Sequence, residues 1–463
     1  MNTETTYNKA LDYLYSFIDY SLRHSSELAK ADFNLDRMFA LMEELGNPQA
    51  KYPIIHVAGT KGKGSVCALC ASALQAAGYK VGLYTSPHLL DFVERIQING
   101  QPISHEQLVE LVEEAKPAVA KIPKLTTFEI TTALGLLAFA KHNVHAAVIE
   151  VGLGGRLDAT NIVTPKVSVI TSLSYDHMAV LGDTLAKIAG EKAGIIKEGV
   201  PVVSAPQKEE ALQVLERVAK LLGSTVTLVG KDVNFERLGS SLDGQIFRLS
   251  FLRDSRWSQG SAFLFPAPNL PHTLNLTIPL LGFNQIENAA TSYAALKASG
   301  LEISDEAIQK GFAQVKWPAR FEVVRRDPPV ILDSAHNQDS FARLRETLEE
   351  HFPGKPVYLI FGASEDKNIP GMFAEMKPKI KRLIVTRADH PRALEPEKII
   401  ELAKQAGVES EAVSPVESAF GRALELSEKD GSIVLSAGSM FVTAEAMKAW
   451  KNILAKVLKP SQG

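Results

Sequence analysis

Residues 51–66 read KYPIIHVAGTKGKGSV, and their types at this spacing suit one chemistry, the holding of phosphate. Gly59, Gly62 and Gly64 let the backbone curl until successive N–H groups point inward. Lys61 and Lys63 bring positive charge, while Thr60 and Ser65 bring hydroxyls that can reach Mg²⁺. Ile54, Ile55 and Val57 predict a buried parallel strand before the turn. Val66 to Ala77 predicts a helix after it, whose N-terminus adds positive potential. The match to the usual P-loop is incomplete, because Gly64 stands where Ser or Thr follows the lysine and Val57 replaces the first glycine. What remains is G-T-x-G-K-x-S. A glycine turn without a ligand is the plainer reading, and nucleotide phosphate binding is the expectation.

Other groups fit the same chemistry. Ala146 to Glu150 is an apolar run ending in a carboxylate, and Ser86 follows another apolar run. One carboxylate, one hydroxyl and phosphate oxygens suffice for Mg²⁺, which takes hard oxygen ligands and keeps waters. His177 follows Asp176, and a lone histidine there is more often a cap or core residue than a ligand. Arg320 lies beside Trp317-Pro318, placed to reach phosphates across a cleft, with a surface ion pair as the duller option. Asp333 and His336 suit a ribose or an amine. Together these residues describe phosphoryl chemistry, which needs cations and positioning more than covalent help. A kinase, an ATPase and an ATP-dependent ligase all satisfy that description.

Length and composition narrow the setting. The 463 residues suffice for two domains with sizeable cores. A net charge of −3 gives no footprint for nucleic acid or an acidic membrane, so an anionic substrate must be met by local cations. The opening MNTETTYNKALDYLYSF has no basic and apolar signal pattern, and Ile130 to Ala140 is too short to span a bilayer. Cys67 and Cys70 are the only cysteines. Their C-x-x-C spacing lies in the helix after the phosphate loop with no second pair to complete a zinc site, so they read as packing. A reducing, cytoplasmic location follows.

These side chains must be positioned by alternating strands and helices. Residues 7–45 have helical periodicity, then strands are expected at 54–58, 80–85, 146–151, 167–172 and 200–204. Helices are expected near 65–77, 104–119, 126–142, 183–195 and 207–222, as in a doubly wound α/β sheet. Segments within 226–281, VTLVG among them, read as an antiparallel meander, followed by helices at 284–298 and 305–314. Strands at 329–333, 356–361, 382–386 and 432–436 then form a smaller Rossmann-like α/β domain. The expected boundary gives domains 1–316 and 317–463. Polar residues gather just after the strands, where open parallel sheets bind ligands.

In this order and spacing the motifs resemble the folylpolyglutamate synthase and dihydrofolate synthase family of Mur-ligase-like amide ligases. The likeness runs through HVAGTKGKGS, YTSPHLLDFVERIQING, TFEITT, EVGLGGRLDATN, SYDHMAVLG, IAGEKAGIIK, NQIENAAT, WPARFEV, LDSAHNQDS and FGASEDKN. GKGS is that family's own form of the loop. The resemblance implies ATP-driven addition of L-glutamate to folates and to dihydropteroate through an acyl phosphate. It also implies Mg²⁺ at two sites, K⁺ as a further cation, and a monomer. Gly59 to Ser65 would wrap the phosphates with Lys63 as the phosphate lysine, and Ser86, Glu150 and His177 would hold Mg²⁺. Lys192 in GEKAG matches the position that the family carbamylates, giving a second Mg²⁺ its ligand. Asn288 and Arg320 resemble nucleotide and phosphate contacts, and Asp333 and His336 the ribose and adenine side. Phe128, Arg95, Arg156 and Asp158 sit in motifs near the pterin and glutamate ends. Two rivals stand beside this reading: a ligase acting on a UDP-muramoyl substrate, and a nucleotide-switch module.

Overall fold

The computed structural model describes residues 3–19, 33–251 and 273–458. Parts of the helical expectation at 7–45 and of the meander at 226–281 therefore lie outside the described residues.

The N-terminal domain opens with helices α1 (Thr3–Tyr15) and α2 (Asp36–Glu44), followed by strand β1 (Ile54–Ala58). Helix α3 (Lys63–Ala76) begins two residues earlier than expected, because Gly62 turns at φ +89 and Gly64 is itself helical. The chain continues through β2 (Val81–Tyr84), β3 (Ile96–Ile98), β4 (Gln101–Pro102), α4 (His105–Val119), α5 (Thr127–Lys141) and β5 (Ala146–Glu150). Next come β6 (Val167–Ile170), α6 (Met178–Leu181), α7 (Leu185–Ala193), β7 (Val202–Ser204), α8 (Glu209–Leu221) and β8 (Val226–Leu228). These strands form one sheet in the order β4-β3-β2-β5-β1-β6-β7-β8, parallel from β2 to β8.

β1 and β5 are buried along their whole length, as apolar runs covered on both faces must be. Their pairing sets Val57 opposite Glu150, so the phosphate loop and the carboxylate emerge side by side at the carboxyl edge. Helix α5 is fixed by a capping box in which Thr126 and Glu129 satisfy each other's backbone N–H. The glutamate of TFEITT is therefore a capping residue, paired with the threonine just before the motif.

One expectation is corrected. VTLVG does not join the antiparallel meander, because β8 pairs parallel with β7 at the edge of the main sheet. Among the described residues, β9 (Val233–Ser241), β10 (Gly244–Phe251) and β11 (Thr273–Ile278) form the antiparallel sheet. It packs Phe247, Leu249 and Leu276 against α9 (Phe283–Ala298) and α10 (Asp305–Gln314), which with α3 fill one face of the main sheet. Cys67 and Cys70 are fully buried free thiols in that core, as the packing reading requires. The helix expected at 183–195 is α7, and a short helix outside the expected set, α6, precedes it and ends at Gly182 with φ +97.

The C-terminal domain is a second sheet of order β12-β13-β17-β14-β15-β16. Its members are β12 (Glu322–Arg326), β13 (Pro329–Leu332), β14 (Val357–Phe361), β15 (Ile380–Val385), β16 (Ser410–Ala412) and β17 (Ile433–Ala437). All pair in parallel except β12, an antiparallel edge. Helices α11 (Gln338–His351), α12 (Ile369–Met376) and α13 (Pro396–Gln405) cover one face, and α14 (Val416–Asp430) and α15 (Met440–Leu458) the other. The α/β, doubly wound architecture with a small antiparallel sheet and a Rossmann-like second domain is as expected. No described helix is long and apolar enough to cross a membrane.

Candidate active site

A cavity of about 1040 Å³ lies between the two sheets' carboxyl edges, lined by the phosphate loop, Ser86, Glu150, Asp176, His177, Lys192, Asn288, Arg320, Asp333 and His336. The loop is tightly built. A Cβ on Gly59 would fall 1.8 Å from Thr171 Oγ1, one on Gly62 2.2 Å from Asn288 Oδ1, and one on Gly64 2.7 Å from the Trp317 ring. Each glycine is there because another chain segment occupies the space. The N–H groups of Thr60 and Lys61 donate to the Ser172 carbonyl at 3.0 and 3.1 Å. The first intrahelical bond runs from Val66 N to Gly62 O, so the N–H groups of Lys63, Gly64 and Ser65 have no helical acceptor. These orphan donors at a helix N-terminus are the part of the loop suited to an anion.

Glu150 is buried, with Oε2 accepting the Ser86 N–H at 3.2 Å and Oε1 3.9 Å from Lys63 Nζ. Burial raises its pKa and Lys63 opposes the rise. Lys192 is 4% exposed, and burial, reinforced by Lys63, lowers its pKa to about 7. His177 takes the left-handed conformation (φ 50) ahead of α6, and burial lowers its pKa to about 4. Among the described residues no three His, Cys, Asp or Glu side chains cluster closely enough to cage a metal. The donor set instead fits a cation that keeps waters and shares phosphate oxygens, which is the habit of Mg²⁺.

Arg320 sits between two non-glycine residues in the left-handed region, Ala319 (φ 56) and Phe321 (φ 47). Such strain persists only where the surroundings enforce it. Here Asp333 does so, accepting the Phe321 N–H and the Ala335 N–H at 2.7 Å each. Asp333 is therefore occupied as a clamp on the domain junction. His336 Nδ1 donates to the Ser334 carbonyl at 2.8 Å, which leaves Nε2 to accept from Lys61 Nζ at 3.1 Å.

The four residues assigned to the pterin and glutamate ends lie off the cavity wall. Arg95 donates to His88 Nδ1 at 3.0 Å, and Arg156 is exposed and paired with Glu191 at 2.8 Å. Asp158 is a buried cap that accepts from Leu153 N, Thr160 N and Thr160 Oγ1. The Phe128 ring packs against Gly152, where a Cβ would approach to 2.4 Å. Two residues outside the predicted set join the site: Asp176, 3.1 Å from both Lys61 Nζ and Lys367 Nζ, and Lys367 itself. The polar strand end of FGASEDKN was the available signal for the lysine.

A phosphate loop, buried cations and an arginine held in a strained turn at the junction of two α/β domains define an ATP-dependent ligase of the Mur ligase type. The Mur ligase middle domain matches residues 57–296, and the Mur ligase glutamate ligase domain matches residues 319–440. The chain is 36% identical over 427 residues to the dihydrofolate synthase/folylpolyglutamate synthase of Bacillus subtilis, covering 90% of this chain and 95% of that protein. The Mycobacterium tuberculosis folylpolyglutamate synthase complexed with ADP superposes with a TM-score of 0.85 at 30% identity, covering 96% of this chain and 98% of the other. Escherichia coli FolC in complex with DHPP and ADP gives 0.82 at 30% identity, covering 97% and 98%. The chain belongs to the dihydrofolate synthase/folylpolyglutamate synthase family.

Proposed function

We propose that the protein joins L-glutamate to folates, and to dihydropteroate, in an ATP-driven reaction that passes through an acyl phosphate. Residues 1–316 carry the nucleotide and residues 317–463 close over it. The observation that carries the reading is one cavity in which Lys61, Lys63, Lys192 and Arg320 surround the free N–H groups of the phosphate loop. ATP phosphorylates an unreactive carboxylate, and the glutamate amine then displaces phosphate to form the amide. The tetrahedral intermediate gathers negative charge, which these preorganised cations stabilise. Holding acyl phosphate and amine together away from water favours amide formation over hydrolysis.

The N–H groups of Lys63 to Ser65, with the Lys63 ammonium, hold the terminal phosphates. Ser86, Glu150 and His177 hold Mg²⁺, which neutralises phosphate charge when bound. Asn288 and His336 border the nucleotide, and Arg320 reaches its phosphates across the junction while Asp333 keeps that turn in place. Arg95, Phe128, Arg156 and Asp158 act on the pterin and glutamate ends through the loops they hold rather than from the cavity wall. The Lys192 amine, with a pKa of about 7, is largely neutral at slightly alkaline pH and so nucleophilic toward CO₂. The neutral amine and CO₂ give a carbamate anion and release one proton, which makes a buried amine into an anionic group suited to a second Mg²⁺. Loading with ¹³C-bicarbonate is expected to give a carbamate resonance that Lys192→Ala abolishes; its absence from the wild type would refute the modification. K⁺ stimulation, a monomeric state and a cytoplasmic location complete the proposal.

Glutamate-dependent ADP release tests the function. Turnover with both dihydropteroate and tetrahydrofolate establishes a bifunctional enzyme, and turnover with tetrahydrofolate alone a polyglutamate synthase. Turnover with a UDP-muramoyl acceptor alone would overturn the folate assignment.

A further inference from the structure

Groups from both domains converge on one carboxylate. Asp176 follows β6 in the N-terminal domain, and its side chain is 9% exposed. Its Oδ2 accepts from Lys61 Nζ of the phosphate loop at 3.1 Å and from Asn337 Nδ2 of the C-terminal domain at 3.2 Å. Its Oδ1 accepts from Lys367 Nζ at 3.1 Å, again from the C-terminal domain. His336 Nε2, which accepts from Lys61, lies 3.8 Å from Oδ2. Burial works against this carboxylate's charge, yet Lys61 and Lys367 hold it well below the usual carboxylate range.

Two other charged ties between the domains lie off the cavity wall: Arg237–Glu350 and Arg326–Asp243 join the C-terminal domain to the antiparallel sheet, and their side chains are partly or wholly exposed. Exposed pairs contribute little and are screened by salt. They suit a hinge about which the cleft can gape. The Asp176 cluster lies on the cavity, where Lys61, Asp176 and His336 all contribute to the wall.

A carboxylate amid two lysines presents what a terminal phosphate would present: anionic oxygens at hydrogen-bonding distance from both ammonium groups. We propose that Asp176 is a positioning residue that stands in for the nucleotide's terminal phosphate, drawing the C-terminal domain's Lys367 and Asn337 onto Lys61 before ATP arrives and releasing both lysines to the phosphate afterwards. The inference rests on the reading that this cavity binds ATP. It adds that the domains are held near their working separation without nucleotide, so ATP binds to a cleft whose cations are already gathered.

The test is small-angle X-ray scattering of the full chain, with and without a non-hydrolysable ATP analogue, for wild type, Asp176→Asn and Lys367→Gln. The wild type should change little on adding the analogue. Asp176→Asn should be more extended without nucleotide and compact when the analogue binds. If its closed form falls to about a tenth of the population, the apparent dissociation constant for the analogue rises about tenfold. Steady-state kinetics should then show the loss mainly in KM for ATP rather than in kcat, whereas general damage to the site lowers kcat. Lys367→Gln carries the same expectation should Asp176→Asn fail to fold. A variant no more extended than wild type in the absence of nucleotide, or a loss confined to kcat, would overturn the inference. Failure of the wild type to bind the analogue would overturn the ATP reading instead.

Discussion

Gly62→Ala puts the architecture of the phosphate loop to a quantitative test. Gly62 has φ +89, and a left-handed conformation costs a residue with a Cβ roughly 1–2 kcal/mol. The new methyl group would also meet Asn288, with Oδ1 at 2.2 Å and Cγ at 3.0 Å. Asn288 is 6% exposed and donates to Gln285 Oε1 at 3.0 Å, so its retreat breaks a buried hydrogen bond, a further loss of about 1 kcal/mol. The sum is about 2–3 kcal/mol, or about 30- to 140-fold in affinity if it falls on the nucleotide-bound form. Gly78 provides the control, because it also has φ +89 but an added methyl group there would meet nothing within 4 Å. Calorimetric titration with ADP, alongside thermal unfolding, separates the terms. Gly78→Ala should lower stability by the backbone cost of about 1–2 kcal/mol and leave ADP affinity alone. Gly62→Ala binding ADP within about threefold of wild type, with unchanged thermal stability, would refute the reasoning.

Further outcomes follow from other sites. His56 is fully buried, with Nε2 bonded to Thr160 Oγ1, and burial followed by the charge of Lys197 lowers its pKa from 6.5 to about 3. The unfolded chain therefore takes the proton first, so stability is intact above pH 6.5 and is lost as pH falls toward 3, by about 2 kcal/mol at pH 5. Denaturant titrations across that range should show a step that His56→Asn flattens; a step of equal size in the variant would assign it to other groups. Glu150→Gln leaves Lys63 without its carboxylate neighbour and is expected to lower glutamate-dependent ADP release by about 10²-fold or more. Near-normal turnover would remove Glu150 from the metal site. Gly152→Ala forces the Phe128 ring aside at a stability cost of about 1–3 kcal/mol. If Phe128 borders the folate, KM for the folate substrate rises while KM for ATP holds, and equal changes in both would place Phe128 purely in the core.

What is local in the fold is legible in the sequence. Three glycines and two lysines in one turn announce an anion site, and continuous apolar runs such as Ala146 to Ile149 announce buried parallel strands. The failures have physical causes. VTLVG alternates like an exposed hairpin strand, but an edge strand of three residues carries too little pattern to reveal its partner. The β3–β4 hairpin is absent from the expected elements although its signal is present, for Asn99-Gly100 takes φ 50 and φ 72 between paired strands. Asp176 and Lys367 meet from positions 191 residues apart, and no local pattern encodes such a pair. Asp158 shows the converse: a motif carboxylate whose oxygens are consumed in capping its own loop.

The helix that follows the phosphate loop has a consequence for synthesis. Its apolar face is covered by α9 and α10, and Ser72 Oγ donates to the Gly311 carbonyl 239 residues downstream. A ribosome adding about 5–20 residues per second needs about 12–50 s to deliver that cover after Ser72 emerges. During this interval the nascent chain has its phosphate-loop sequence but neither Asn288 to buttress Gly62 nor Trp317 to close on Gly64. The unfinished enzyme therefore exposes an apolar helix face that chaperones can recognise, and it acquires a complete nucleotide pocket only once the junction at Arg320 has been made.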